Sequence, residues 1–244
     1  MKSILFCLAA FVIAISACQH AKDPNTATID FSQPIVSDAD FIFSTCQGKT
    51  FIMADASAAQ KMSDHLKAQT GGILSDMGVG NAFVLDMDGK SYLCTATHAT
   101  VGLEKYTKKI GADIALIDFT AMPQQKFGTE FQLATAYAVD TAVQTGDSVF
   151  VKGYLFNKNG ELQSVTVSGK GKVWNKSEYN GTYSGMNSQY MQERALIIKL
   201  DENVELGGLS GSPAFNKQGK VIGVYSGRTL DQNSGTYYIR ISLF

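Results

Sequence analysis

From Gly78 to the C-terminus the chain is a succession of short runs in which apolar and polar residues alternate, separated by tight-turn signals. NAFVLDM and SYLCTAT flank Asp88-Gly89, VFVKGYLF and ELQSVTV flank Asn159-Gly160, and PAF and KVIGVYS flank a turn that ends at Gly219. A period of two puts successive side chains on opposite faces of a strand. Asp-Gly or Asn-Gly between two such runs supplies the positive φ angles that a two-residue hairpin requires. The pattern therefore predicts a mostly antiparallel β domain without internal repeats. Two earlier stretches depart from it. ASAAQKMSDHLKAQTGG, from Ala56, carries helix formers with spaced apolar positions, Asp55 in front as an N-cap and Gly71-Gly72 as a stop, so it predicts one short helix. Residues 19–36, QHAKDPNTATIDFSQPIV, are polar, hold two prolines and show no periodicity, which predicts a tether rather than a packed element.

The N-terminus has its own pattern: Lys2, an uncharged run from Ile4 to Ala17, then Cys18. The run is too short for a membrane span with ordinary flanks and fits the apolar region of a secretory signal. Its end, Ile15-Ser16-Ala17-Cys18, resembles the lipobox of bacterial lipoproteins, in which the cysteine is lipidated and becomes the first mature residue. That resemblance implies a signal peptide over residues 1–17, lipid on Cys18, a tether over 18–36, and a folded domain over 37–244. It places the protein in the bacterial cell envelope, periplasmic or at the surface, held to a membrane through its N-terminal lipid, or secreted if the lipobox is not used. With the signal removed, Cys18, Cys46 and Cys94 remain. If Cys18 carries lipid, Cys46 and Cys94 are compatible with a disulfide or with two separate buried thiols, and spacing does not choose between them.

Composition removes whole classes of function. There is no C-x-x-C pattern, and His20, His65 and His98 are the only imidazoles, so no metal or other cofactor is implied. Lysine and arginine number 21 against 22 aspartates and glutamates. With no basic stripe there is no electrostatic basis for a nucleic-acid partner. The mature length suits one all-β double-barrel or sandwich domain, or two small domains.

The stretch GGLSGSPAF, Gly207 to Phe215, places Ser210 between glycines in a strand-rich region. A serine hydroxyl is a poor nucleophile until a base takes its proton, and that base in turn needs a carboxylate to hold its tautomer. His98 follows the apolar run in SYLCTATHAT, and Asp113 opens the apolar run in GADIALIDF, where an acid is unexpected without a buried partner. The competitors lack this setting: His65 lies on the predicted helix, Asp118 at the far end of the same run as Asp113, and Asp140 before the later strands. The α/β-hydrolase elbow G-x-S-x-G does not apply, because its last position here is Ser212.

TATH, DIAL and GLSGSP resemble the histidine, aspartate and serine motifs of trypsin-like serine peptidases of the chymotrypsin fold, and GNAFVL, GDSVFVKGY and GKVIGVYSG agree in order between and around them. The resemblance spans about residues 78–242 and implies two six-stranded antiparallel β-barrels, the first over about 75–122 and the second over about 130–244. It implies a serine endopeptidase acting on protein or peptide substrates, with Ser210 as nucleophile, His98 as base, Asp113 as its orienting acid, and the N–H groups of Gly208 and Ser210 as oxyanion hole. A catalytically degenerate member of the same fold, serving as a surface binding module, is the alternative from another class. Leu209 stands where animal members carry an aspartate that pairs with a freed amino terminus, so direct folding into the active form is expected. The substrate pocket is expected between Val204–Gly207 and Val224–Arg228, with Val204 at its floor and Tyr225 and Ser226 in its wall. An uncharged side chain before the scissile bond should then be preferred, since burying a lone ammonium is costly.

Overall fold

The computed structural model describes residues 25–32, 41–46, 49–53, 77–100, 103–118, 121, 136–157, 159, 161–174, 183–184, 194–201 and 203–244. The signal run, Cys18 and the helix predicted from Ala56 lie outside these residues. Among the described residues the chain forms fifteen strands and two short 3-10 turns, and no helix is long and apolar enough to cross a membrane.

The first sheet contains β2 (Phe41–Cys46), β3 (Lys49–Met53), β4 (Met77–Met87), β5 (Lys90–Thr95), β6 (Thr107–Lys109) and β7 (Ala115–Ile117), in the order β3-β2-β4-β5-β7-β6. Its central hairpin joins β4 to β5 through Asp88 and Gly89, whose φ angles of 54° and 75° are those the Asp-Gly signal predicts. Alternation along β4 and β5 turns Phe83, Leu85 and Leu93 into a core shared with Leu116 and Ile117 of β7. Full burial of such a side chain stabilises the fold by about 1.5–3 kcal/mol. The sheet starts earlier than the expected boundary at residue 75, because β2 and β3 belong to it. These short strands have no Asp-Gly or Asn-Gly between them, so the hairpin signal that exposes the others is missing.

The second unit contains β1 (Thr26–Asp30), β8 (Ser148–Phe156), β9 (Leu162–Lys170), β10 (Lys172–Trp174), β11 (Tyr183–Ser184), β12 (Ala195–Leu200), β13 (Pro213–Phe215), β14 (Val221–Asp231) and β15 (Thr236–Leu243). Seven of these close on themselves in the order β1-β9-β8-β13-β14-β15-β12, and β12 returns to β1 by a parallel pairing. Val149, Val151, Val165, Val167, Ile198 and Ile241 fill the ring. The tether expected over 18–36 is thus corrected at Thr26–Asp30, which pairs with β9 on one side and β12 on the other and buries Ala27. TATID is rich in β-branched residues, but five positions are too few for a period to stand out; the gap between β9 and β12 recruits it.

The two units share apolar contacts as well as a chain. Phe215, Val221 and Val224 of β13 and β14 pack into the core of the first sheet, and Tyr137 stacks edge-on with both Phe83 and Phe215 at centroid distances of 6.2 and 5.0 Å. This seam brings the end of β5 against the turn that precedes β13.

Candidate active site

Asp113 sits just before β7 with none of its surface exposed. A buried carboxylate requires partners, and His98 supplies two. The His98 backbone N–H donates to Asp113 Oδ1 at 3.1 Å, and its Nδ1 lies 2.9 Å from Oδ2 and 3.1 Å from Oδ1. With Nδ1 facing a carboxylate, the ring proton belongs on Nδ1 and Nε2 is left as the basic nitrogen. The ring is carried on the 3-10 turn Thr97–Ala99 immediately after β5, and its side chain is 38% exposed. Thr97 N–H donates to the Asp113 carbonyl at 3.2 Å, which ties the histidine turn to the start of β7 a second time.

Ser210 lies between two glycines with left-handed backbone, Gly208 at φ 96° and Gly211 at φ 88°. Leu209 N–H donates to the Leu206 carbonyl at 3.2 Å and Ser212 N–H to the Leu209 carbonyl at 3.1 Å, so the segment is two overlapping turns. The Leu209 side chain is fully buried in the core of the closed barrel. Among the described residues, the N–H groups of Gly208 and Ser210 donate to no other protein group.

Two hydrogen bonds link this turn to the strand that leads to the histidine. The Ser210 carbonyl accepts from Asn81 N–H at 2.6 Å, the Asn81 carbonyl accepts from Thr95 Oγ1 at 2.6 Å, and Thr95 ends the strand that leads to His98. Gly211 is glycine for a visible reason: a Cβ there would lie 1.9 Å from the Asn81 oxygen and 2.2 Å from Thr95 Oγ1. On its other side the turn is held by β14, with Gly211 N–H donating to the Tyr225 carbonyl and Tyr225 N–H to the Ser212 carbonyl, both at 2.9 Å. The structure therefore brings His98 against Asp113 and fastens the Ser210 turn to the same strand end. Ser210 Oγ itself makes no hydrogen bond to the His98 ring.

Beside Ser210 opens a cleft of about 380 Å³ lined by Leu206, Gly207, Tyr225, Leu230 and Tyr237, with Glu205 and Arg228 among its walls. Tyr225 is buried, and burial pushes its phenol above the ordinary range. Val204 and Ser226 do not line the cleft. Val204 packs against the barrel core, and the Ser226 hydroxyl is buried 2.6 Å from that of Ser242. Glu205 is not a free acid: its carboxylate lies 3.6 Å from Arg228 and accepts from Gly207 N–H at 2.9 Å. Arg228 also donates to the Val204 carbonyl at 2.8 Å and lies 5.1 Å from the Tyr237 ring centroid.

The competing carboxylates are engaged elsewhere, Asp118 by Lys90 and Asp140 by Asn216 and the Ala142 N–H. The Cys94 thiol is free and buried. Among the described residues no group of three His, Cys, Asp or Glu side chains could hold a metal ion. Asn81 is the site residue that residue-type reasoning passed over; its signal was a polar side chain inside the apolar run NAFVL.

The sequence profile of the trypsin-like peptidase domain matches residues 68–224, more than half of the chain and the stretch that holds all three residues. The chain belongs to this family. The trypsin-like domain is also similar to the probable periplasmic serine endoproteases, DegP-like, of Brucella suis biovar 1 (strain 1330) and Brucella abortus biovar 1 (strain 9-941), each 29% identical over 160 residues. That match covers 59% of this chain and 26% of each relative, so the chain spans about a quarter of the length of the curated relatives it matches. Among solved structures, a thermostable serine protease from an extremophilic microorganism aligns at a TM-score of 0.41 with 16% identity, over 85% of this chain and 91% of that one. Tobacco etch virus protease complexed with product aligns at 0.41 with 12% identity, over 88% and 79%.

Proposed function

We propose that this trypsin-like domain is a serine endopeptidase that hydrolyses peptide bonds through an acyl-enzyme on Ser210. The observation that carries the reading is the His98–Asp113 pair: a fully buried carboxylate grips both the ring Nδ1 and the backbone N–H of a histidine that is otherwise exposed. Held this way, His98 Nε2 takes the Ser210 proton as Oγ attacks the scissile carbonyl, and Asp113 stabilises the imidazolium that forms. The N–H groups of Gly208 and Ser210, unused among the described residues, receive the oxyanion, a contribution on the order of 3 kcal/mol per donor in related chemistry. The hydroxyl moves onto the ring when substrate binds, as free-enzyme catalytic contacts are often long.

The cleft beside Ser210 takes the side chain that precedes the scissile bond. Its apolar walls, with Glu205 already committed to Arg228, favour an uncharged residue over lysine or arginine. Profiling with a mixed peptide library checks this, and dominant cleavage after lysine or arginine would refute it. The protein acts in the bacterial cell envelope, anchored by lipid on Cys18.

The deciding experiment is labelling with a fluorophosphonate serine probe. Wild type should label and Ser210→Ala should not. A folded wild type that fails to label would leave the same fold serving as a surface binding module.

A further inference from the structure

We infer that Asn81 is a positioning residue that holds the oxyanion turn from the first sheet, by a clamp in which its side chain grips Gly208 and its backbone N–H grips Ser210. Asn81 lies on β4 and is 2% exposed. Its Nδ2 donates to the carbonyl of Gly208 and to the carbonyl of Tyr154 on β8, both at 2.8 Å, and its Oδ1 accepts from Tyr154 N–H at 2.8 Å. Its backbone N–H donates to the Ser210 carbonyl at 2.6 Å, and its backbone carbonyl accepts from Thr95 Oγ1 at 2.6 Å. All of its polar groups are thus spent, and they reach the histidine strand, the closed barrel and both ends of the segment Gly208-Leu209-Ser210.

The consequence follows from the geometry of that segment. Gly208 has φ 96° and no Cβ, so its neighbouring peptide groups can rotate at little steric cost. Asn81 removes that freedom by gripping the carbonyls of residues 208 and 210 together. The gripped carbonyls belong to the 208–209 and 210–211 peptides, so the 209–210 peptide, which carries the Ser210 N–H, is bracketed by two fixed planes, and among the described residues the Gly208 and Ser210 N–H groups meet no protein acceptor. A side-chain amide suits the position because one NH₂ supplies two donors to two carbonyls while its own oxygen takes the Tyr154 N–H. Aspartate has the same shape but would set a carboxylate oxygen against two carbonyls.

This inference rests on the peptidase reading, and its test separates the two. Asn81→Asp and Asn81→Ala are compared with wild type for kcat, KM, the pH–rate profile and the inhibition constant of a peptide boronate, whose adduct on Ser210 carries a charged oxygen where the oxyanion forms. The expected result is a fall in kcat on the order of 10²-fold, the effect of losing one oxyanion donor, with boronate affinity falling in parallel. KM for the same peptide and the acidic limb of the profile should stay within about twofold, because the substrate cleft and the His98–Asp113 pair do not touch the amide. Variants that fold and keep kcat within about threefold would overturn the positioning role. If neither variant folds, wild type decides by NMR: through-hydrogen-bond coupling from the Asn81 side-chain nitrogen to the Gly208 carbonyl carbon is expected, and its absence overturns the clamp. A wild type that neither cleaves peptides nor takes the boronate overturns the peptidase reading instead, while the NMR coupling still reports on the clamp.

Discussion

Replacing Gly211 by alanine separates two reasons for a glycine after the reactive serine. Gly211 and Gly219 both have left-handed backbone, with φ of 88° and 74°. A Cβ at Gly219 meets nothing within 4 Å, whereas at Gly211 it lies 1.9 Å from the Asn81 oxygen and 2.2 Å from Thr95 Oγ1. The backbone penalty of about 1–2 kcal/mol applies to both. At Gly211 the methyl must also break the Thr95–Asn81 hydrogen bond or push the turn away from β4. Leaving a buried polar group unsatisfied costs about 1–3 kcal/mol, and Thr95 is fully buried. Forcing a methyl into packed surroundings costs a further 1–3 kcal/mol or so. Gly219→Ala should therefore destabilise by about 1–2 kcal/mol and Gly211→Ala by about 3–8, much of the roughly 5–15 kcal/mol that holds a domain folded. Urea denaturation of both variants beside wild type measures the difference. If the two lie within about 1 kcal/mol of each other, the turn has room to leave β4 and the Ser210–Asn81–Thr95 linkage does not fix it.

His98→Ala and Ser210→Ala should each abolish peptide cleavage without unfolding, and the double variant should be scarcely worse than either, because triad members act as a unit; additive losses in kcat would refute their cooperation. Cys18→Ser should abolish lipidation and release the protein from membranes, and an unmodified mature N-terminus in the mass spectrum of wild type would contradict the lipobox assignment. Burial pushes the Cys94 thiol above its ordinary value of 9.0, so above that pH the unfolded chain releases a proton that the folded chain retains. Stability is then full below 9.0 and falls as pH rises beyond it, with Tyr225 adding to the loss above its ordinary 10.0. Cys94→Ala should flatten the alkaline decline of the urea midpoint, and an unchanged slope would show that the thiol is not protected by the fold.

The hairpins at Asp88-Gly89 and Gly219 were legible because each announces itself twice, by alternation and by a turn residue with positive φ. Both signals are local, within reach of a few residues. The pairing of His98 with Asp113 was legible by motif and by oddity, above all an acid opening the apolar run of Asp113, since burying charge demands a partner wherever that partner lies. Thr26–Asp30 became a strand only because β9 and β12 left two edges to fill, a demand set by residues more than a hundred positions away. The state of Cys94 likewise depended on how β4, β5 and β7 enclose it. Asn81 shows the limit most sharply. Its sequence context states only that a polar residue interrupts an apolar run; that its amide reaches Tyr154 and Gly208, 73 and 127 positions along the chain, follows from the closing of one sheet against the other. Hydrogen bonds are short and directional, so their partners are chosen by tertiary packing, whereas hydrophobic period and turn chemistry are properties the chain carries before it folds.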